Sequence, residues 1–308
     1  MMDSFSVLQA ISYISLGVFL SLFILRTLRI SRLPSNLRWE LYPIPGRNGH
    51  GCTGEEDVSR LSRLMQELKY MGHEILLFRT YFKRKRPYWY FVYPLHIAMY
   101  LYLLWLLLTV AGAVALARGL TVATDSQGMG TQILFYVSYV AGILSFFLMA
   151  ASTTGLVIMR TADRGLRLYT TPVIYFNLIF ALMISLTGLL NWLLVDRTFS
   201  LYREYFKSLM TFAPMAGLNP LMTANILLTC LFIVYVPCSR MMHFVTKYFV
   251  YHKILWESGL AAGHPEQSPK VRVLLGKRIA WVAPHVSTGK TWQEMASEKM
   301  ISSSEGTR

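Results

Sequence analysis

Apolar residues in this chain gather into long blocks separated by charge. At about 1.5 Å per residue, five blocks are long enough as helices to cross roughly 30 Å of hydrocarbon. They lie near Val7–Leu25, Phe91–Ala117, Ile133–Met159, Pro172–Val195 and Leu221–Val236, the last continuing as helix past the membrane. None contains Asp or Glu. The pattern therefore predicts an all-α membrane protein with five transmembrane helices.

Between the first two blocks the pattern changes. Residues 33–54 hold three prolines and several glycines, which predicts irregular structure. Over 55–82, Leu61, Leu64, Met65, Leu68, Met71, Ile75, Arg79 and Phe82 recur at helical spacing, with Thr53, Glu55, Glu56 and Asp57 as a start signal. This predicts an amphipathic helix lying on the membrane surface or under a partner subunit. Lys83–Arg86 then marks the interface, and Tyr88, Trp89 and Tyr90 form an aromatic belt. Beyond about residue 258 no long amphipathic period survives, so two parts are expected. One is a membrane domain over 1–257, including the loop 33–87; the other is a tail over 258–308, extended along a partner or partly disordered.

Charge supplies the orientation. All Lys and Arg except Arg118, Arg197, Arg203 and Lys207 fall in the loop 26–90, the connection 160–171 or the tail from Arg240. Translocating such residues is disfavoured, so that side is cytoplasmic, the N-terminus outside and the C-terminus inside. The net charge of +14 is this topology signal, and no nucleic-acid motif accompanies it. In the first block the basic cluster Arg26, Arg29, Arg32 follows the apolar run, which reads as a retained anchor and not a signal peptide. Cys52, Cys230 and Cys238 are too few for a four-cysteine iron–sulfur or zinc site, and Cys230 and Cys238 are expected to pack as small apolar residues.

Of seven histidines, only His96 and His243 fall at membrane depth. The second block runs inward from the cytoplasm and the fifth runs back toward it, so both imidazoles reach the inner leaflet at similar height. Intramembrane ionisable groups are costly and mostly functional. Two helices offering imidazole at one level can clamp a heme b iron; the plain alternative is that each histidine bonds a neighbouring helix. Arg240 and Lys247, at −3 and +4 from His243, would share its face on a continuous helix. They suit heme propionates, as does Arg79, or simple interfacial anchoring. His252, nine residues on, would then face the opposite way and lie about 13 Å deeper in the cytoplasm, which suits a subunit contact. His73 reads as a solvated residue on the polar face of the loop helix; His252 and His73 are at most second-site histidines. His50, His264 and His285 carry no spacing signal. No histidine stands further along either block, so one heme is expected, not two.

Three segments carry a family resemblance: Arg38-Trp-Glu-Leu-Tyr-Pro43, Tyr93-Pro-Leu-His96 with Tyr100 and Leu101, and Met242–Lys253. With the five-span plan they resemble the cytochrome b membrane subunits of the respiratory nitrate reductase gamma superfamily. The closer likeness is to the branch that accompanies heterodisulfide-reductase-like iron–sulfur proteins. The resemblance covers about residues 5–257 and implies His96 and His243 as axial ligands of the heme nearest the cytoplasm. It also implies a bacterial or archaeal cytoplasmic membrane, anaerobic respiration, a cytoplasmic iron–sulfur partner and the quinone pool, with a periplasmic multiheme cytochrome c as a further partner. Two features depart from that pattern. The further histidines of the diheme type are missing, and Gly49-His-Gly-Cys-Thr-Gly54 with Glu55-Glu-Asp57 stands where the branch has a Gly-Gly-Ser-Tyr run. The expected role is electron exchange between quinone and the iron–sulfur subunit through one heme. Tyr93, Tyr248, Lys247 and Arg79 lie in the expected quinone vicinity, and a site near the inner leaflet would make the reaction electroneutral. The competing expectation is a cofactor-free anchor or assembly subunit for a peripheral enzyme.

Overall fold

A backbone in hydrocarbon must satisfy its own N–H and C=O groups, so the apolar blocks become helices. The computed structural model describes residues 4–32, 65, 69, 72–73, 77–215, 218–252, 273–280 and 289–297. In chain order its helices are α1 (Ser4–Ser31), α2 (Arg79–Arg84), α3 (Arg86–Ala117), α4 (Met129–Ala162), α5 (Arg164–Tyr169), α6 (Pro172–Leu194), α7 (Ser200–Thr211), α8 (Pro220–Cys238), α9 (His243–Thr246) and α10 (Trp292–Ser297). Five of them, α1, α3, α4, α6 and α8, are long and apolar enough to cross a membrane. The chain is a multi-pass, all-α membrane protein.

Local signals fix the helix ends. α3, α6 and α8 each open with proline in the first two positions, where a missing N–H costs nothing. Asn219 caps α8 and Asp163 caps α5, each accepting from a first-turn amide at 2.9 Å. Gly119 ends α3 at φ 79°, donating to Leu116 O while Leu120 N donates to Ala115 O. That pair of bonds is a Schellman close, which needs a residue at ease with positive φ.

α3 packs along α4, α4 against α6, α6 against α8, and α8 against α1, while α7 sits on α3. α7 lies in the connection between the fourth and fifth spans and is packed into the bundle. Its Tyr202, Arg203, Tyr205 and Ser208 are buried, bracketed by Phe199 and Phe212 in the left-handed region. Tyr205 Oη lies 2.7 Å from Ser12 Oγ, and burial pushes its phenol up to about 12. Trp105 fills the centre of this half, its ring 5.1 Å from Phe146, 5.3 Å from Phe199 and 5.1 Å from Tyr202. Side chains thus occupy the bundle interior at the end remote from the basic loops.

One polar knot ties three helices there. Asn225, 1 % exposed, donates to Ile184 O at 2.8 Å and Thr187 Oγ1 at 2.9 Å and accepts from Tyr202 Oη at 3.0 Å. Asn225→Leu removes the amide and with it the acceptor that the buried Tyr202 hydroxyl meets at 3.0 Å. We expect a loss of about 1–3 kcal/mol, read as a lower melting temperature in detergent.

The helix expected over 55–82 does not run through its C-terminal end. Phe78 adopts φ 49°, ψ 42°, and α2 starts afresh after it; most of 55–76 lies outside the described residues. A left-handed residue cannot continue a right-handed helix.

The described residues 273–280 and 289–297 belong to a second compact unit. They are locally ordered. Arg278 and Thr291 form an antiparallel bridge, and Ile279 N donates to Lys290 O at 2.8 Å. Thr291 N donates to Glu294 Oε2 at 2.7 Å while Glu294 N donates to Thr291 Oγ1 at 3.3 Å, a capping box opening α10. The expected boundary at 257/258 lies outside the described residues. The amide donated by Thr291 holds the Glu294 carboxyl below its ordinary 4.5. The folded form therefore binds the proton less readily than the unfolded form. This support is present above the ordinary value and is lost as pH falls through the lowered folded value. Amide exchange at Thr291 should accordingly be slow at neutral pH and accelerate, beyond its intrinsic pH dependence, once the solution is more acidic than 4.5.

Candidate functional site

His96 stands ten residues into α3, two after Pro94, which lies inside the helix. Its Nδ1 is 2.8 Å from Val92 O. A carbonyl oxygen only accepts, so Nδ1 carries the proton and Nε2 presents its lone pair. The Phe78 ring lies 4.7 Å from the imidazole, which gives the left-handed turn at Phe78 a consequence: it seats an aromatic wall on His96.

His243 is reached differently from the expected continuous helix. α8 contains Pro237 and stops at Cys238, and Ser239 is extended at φ −108°, ψ 178°. Ser239 Oγ accepts from Met241 N at 3.1 Å and starts a 3₁₀ turn over Arg240–Met242; α9 follows, and Lys247–His252 is a π-helix. Proline removes a helical donor and crowds the preceding turn, so the break falls where the sequence supplies both proline and a capping serine. Arg26 of α1 donates to the Pro237 carbonyl left at the break. The helical phase that put Arg240 and Lys247 on one face with His243, and His252 on the opposite one, therefore does not apply.

The break nevertheless brings the two histidines together. Their ring centroids are 6.1 Å apart with planes at 82°. His243 Nδ1 lies 3.3 Å from Arg240 O, so it too is tied to the preceding turn through Nδ1. Neither Nε2 has a hydrogen bond among the described residues. A metal about 2 Å from one nitrogen of each ring puts the two centroids about 6 Å apart, which this pair matches. Tethering of the outer nitrogen by a carbonyl is how ligating imidazoles are usually oriented. The donor set could hold one iron between the two rings. It does not fit a closed structural metal site, since no group of three His, Cys, Asp or Glu exists among the described residues.

The remaining expected residues are placed as follows. Arg240 is exposed, and no ion pair engages its guanidinium among the described residues. Lys247 is half-buried on the π-turn. Arg79 opens α2, but its side chain, like that of His252, lies outside the described residues. Tyr93 stacks on Trp89 at 4.5 Å and 9°, and Tyr248 is exposed beside Phe249. His73 donates to Lys69 O at 2.8 Å, an ordinary helical contact. His50, His264 and His285 fall outside the described residues. Phe23 stacks on Phe244 at 6.3 Å, adding a contact beside His243 from α1. Sequence reasoning missed Phe78 and the break; Pro237 followed by Ser239 was the available signal. No family model, curated protein or solved structure matches the chain.

Proposed function

We propose that this protein is a membrane cytochrome b subunit of a bacterial or archaeal anaerobic respiratory complex, holding one heme b between His96 and His243. The observation that carries this reading is the perpendicular imidazole pair at 6.1 Å, each ring tethered through Nδ1 so that Nε2 is free. An iron porphyrin there supplies one-electron chemistry.

The chain's own residues set the conditions. The Val92 and Arg240 carbonyls fix the tautomers and ring planes. Phe78 limits water access to His96. Arg240 and Lys247 flank His243 in sequence and supply positive charge for carboxylate side groups. At the remote end, Trp105, Phe146, Phe199 and Tyr202 occupy the interior where a second cofactor would stack. Electrons would pass between quinone and a cytoplasmic iron–sulfur subunit, with the N-terminus outside and the C-terminus in the cytoplasm. Tyr93 and Tyr248, within one or two turns of the histidines, lie in the expected quinone vicinity. The test is a reduced-minus-oxidised spectrum of the purified full chain. A Soret shift and an α-band on dithionite reduction, with close to one heme extracted per polypeptide, support the reading. Colourless protein after expression with heme supply rejects it in favour of a cofactor-free anchor.

A further inference from the structure

A second polar site lies at the basic end of the bundle, where α3, α4 and α6 meet. Arg160, near the end of α4, lays its guanidinium carbon 4.9 Å above the ring of Tyr88, which is 8 % exposed. Its Nη1 donates to Thr170 Oγ1 at 2.9 Å. Its Nε–H is buried and meets no acceptor among the described residues. Tyr81 stands 5.9 Å from Tyr88, and Tyr175 donates to the Arg160 carbonyl at 3.0 Å. The buried Nε–H is closed to an outside ligand, so an anion completing the fork would meet Nη2, which has no hydrogen bond among the described residues.

The surroundings indicate which anion. α5 follows at once, anchored by Leu166 on the same apolar cluster, and it adds the exposed Arg164 and Arg167. The nearest acid, Asp163, is engaged in capping α5, and no carboxylate pairs with these arginines among the described residues. Leu168 and Tyr169, 84 % and 85 % exposed, project from α5. Large apolar side chains beside arginines at the end of a spanning helix belong at headgroup level, with the apolar groups in acyl chains and the cations near phosphate. Basic pockets between spanning helices take anionic lipid headgroups.

We infer that Arg160, with Arg164 and Arg167, forms a binding site for the phosphodiester headgroup of an anionic phospholipid. The site does not depend on the heme reading, and its test uses no redox signal. Native mass spectrometry of the full chain is run in detergent with phosphatidylglycerol or phosphatidylcholine of matched acyl chains. The expected result is a preference for phosphatidylglycerol that Arg160→Gln lowers about fivefold, the share of one basic residue near an anionic surface. Arg29→Gln, which removes an exposed cation from the same end of the bundle, should leave the preference intact. Equal losses in the two variants would mean general charge attraction and overturn the site. Displacement of the lipid by equimolar inorganic phosphate would reassign it to a free anion. Should Arg160→Gln fail to fold, the exposed pair Arg164→Gln/Arg167→Gln decides, since an undiminished preference there also overturns the proposal.

Discussion

If His96 and His243 hold a heme as proposed, alanine at either should abolish the α-band of the reduced-minus-oxidised spectrum, and the double variant should be colourless. Bis-imidazole iron is low-spin because both axial positions carry nitrogen, so losing either ligand changes the spectrum qualitatively. The rings sit 6.1 Å apart at 82°, and no third His, Cys, Asp or Glu groups with them among the described residues to substitute. His243→Ala is the more informative change. His243 is exposed on a short segment after the break, so its removal leaves no core cavity. Spectral loss with the heme-free protein's melting temperature unchanged would therefore be specific to ligation, since loss of a bound cofactor by itself lowers that of the loaded form. A spectrum that survives both substitutions refutes the site. Phe78→Ala should give an intermediate case on that reading: the band should persist, while water reaching the His96 side should move the midpoint potential.

The second large effect is on stability. Trp105→Ala should cost about 3–5 kcal/mol, the range for deleting a large buried aromatic. Trp105 is 1 % exposed and touches α3, α4 and α7 at once through Tyr102, Phe146, Phe199 and Tyr202. Gly142 lets it approach: a Cβ there would stand 2.7 Å from Trp105 Cδ1. The cavity cannot collapse easily, because α7 is pinned elsewhere by Tyr205–Ser12 and Tyr202–Asn225. Denaturant unfolding in detergent measures the loss. If Trp105→Ala destabilises by less than about 1 kcal/mol, the aromatic layer is not the packing centre.

The five spans were legible because hydrocarbon enforces a simple condition, a long apolar run with internally satisfied backbone, that any sequence reveals locally. Phe91–Ala117 and Pro172–Val195 match α3 and α6 closely for that reason. The segment 200–211 was harder. Leu201, Tyr202, Tyr205 and Ser208 follow a helical period, but the segment is short and polar, so no long apolar run marks it as part of the bundle. The tail capping box Thr291–Glu294 is a local signal that composition masked.

What the sequence determined is the class of molecule and the two imidazoles. An apolar block cannot be anything but a buried or lipid-facing helix, and a histidine inside it must be accounted for. Whether those imidazoles meet was not a local matter. It depended on Pro237 and Ser239 breaking α8, on Arg26 from α1 taking the Pro237 carbonyl, and on Phe78 turning back over His96. The first is local, but the other two are contacts between separate segments of the chain. Helical phase counted along one segment could not supply them, because the phase itself ends at the break.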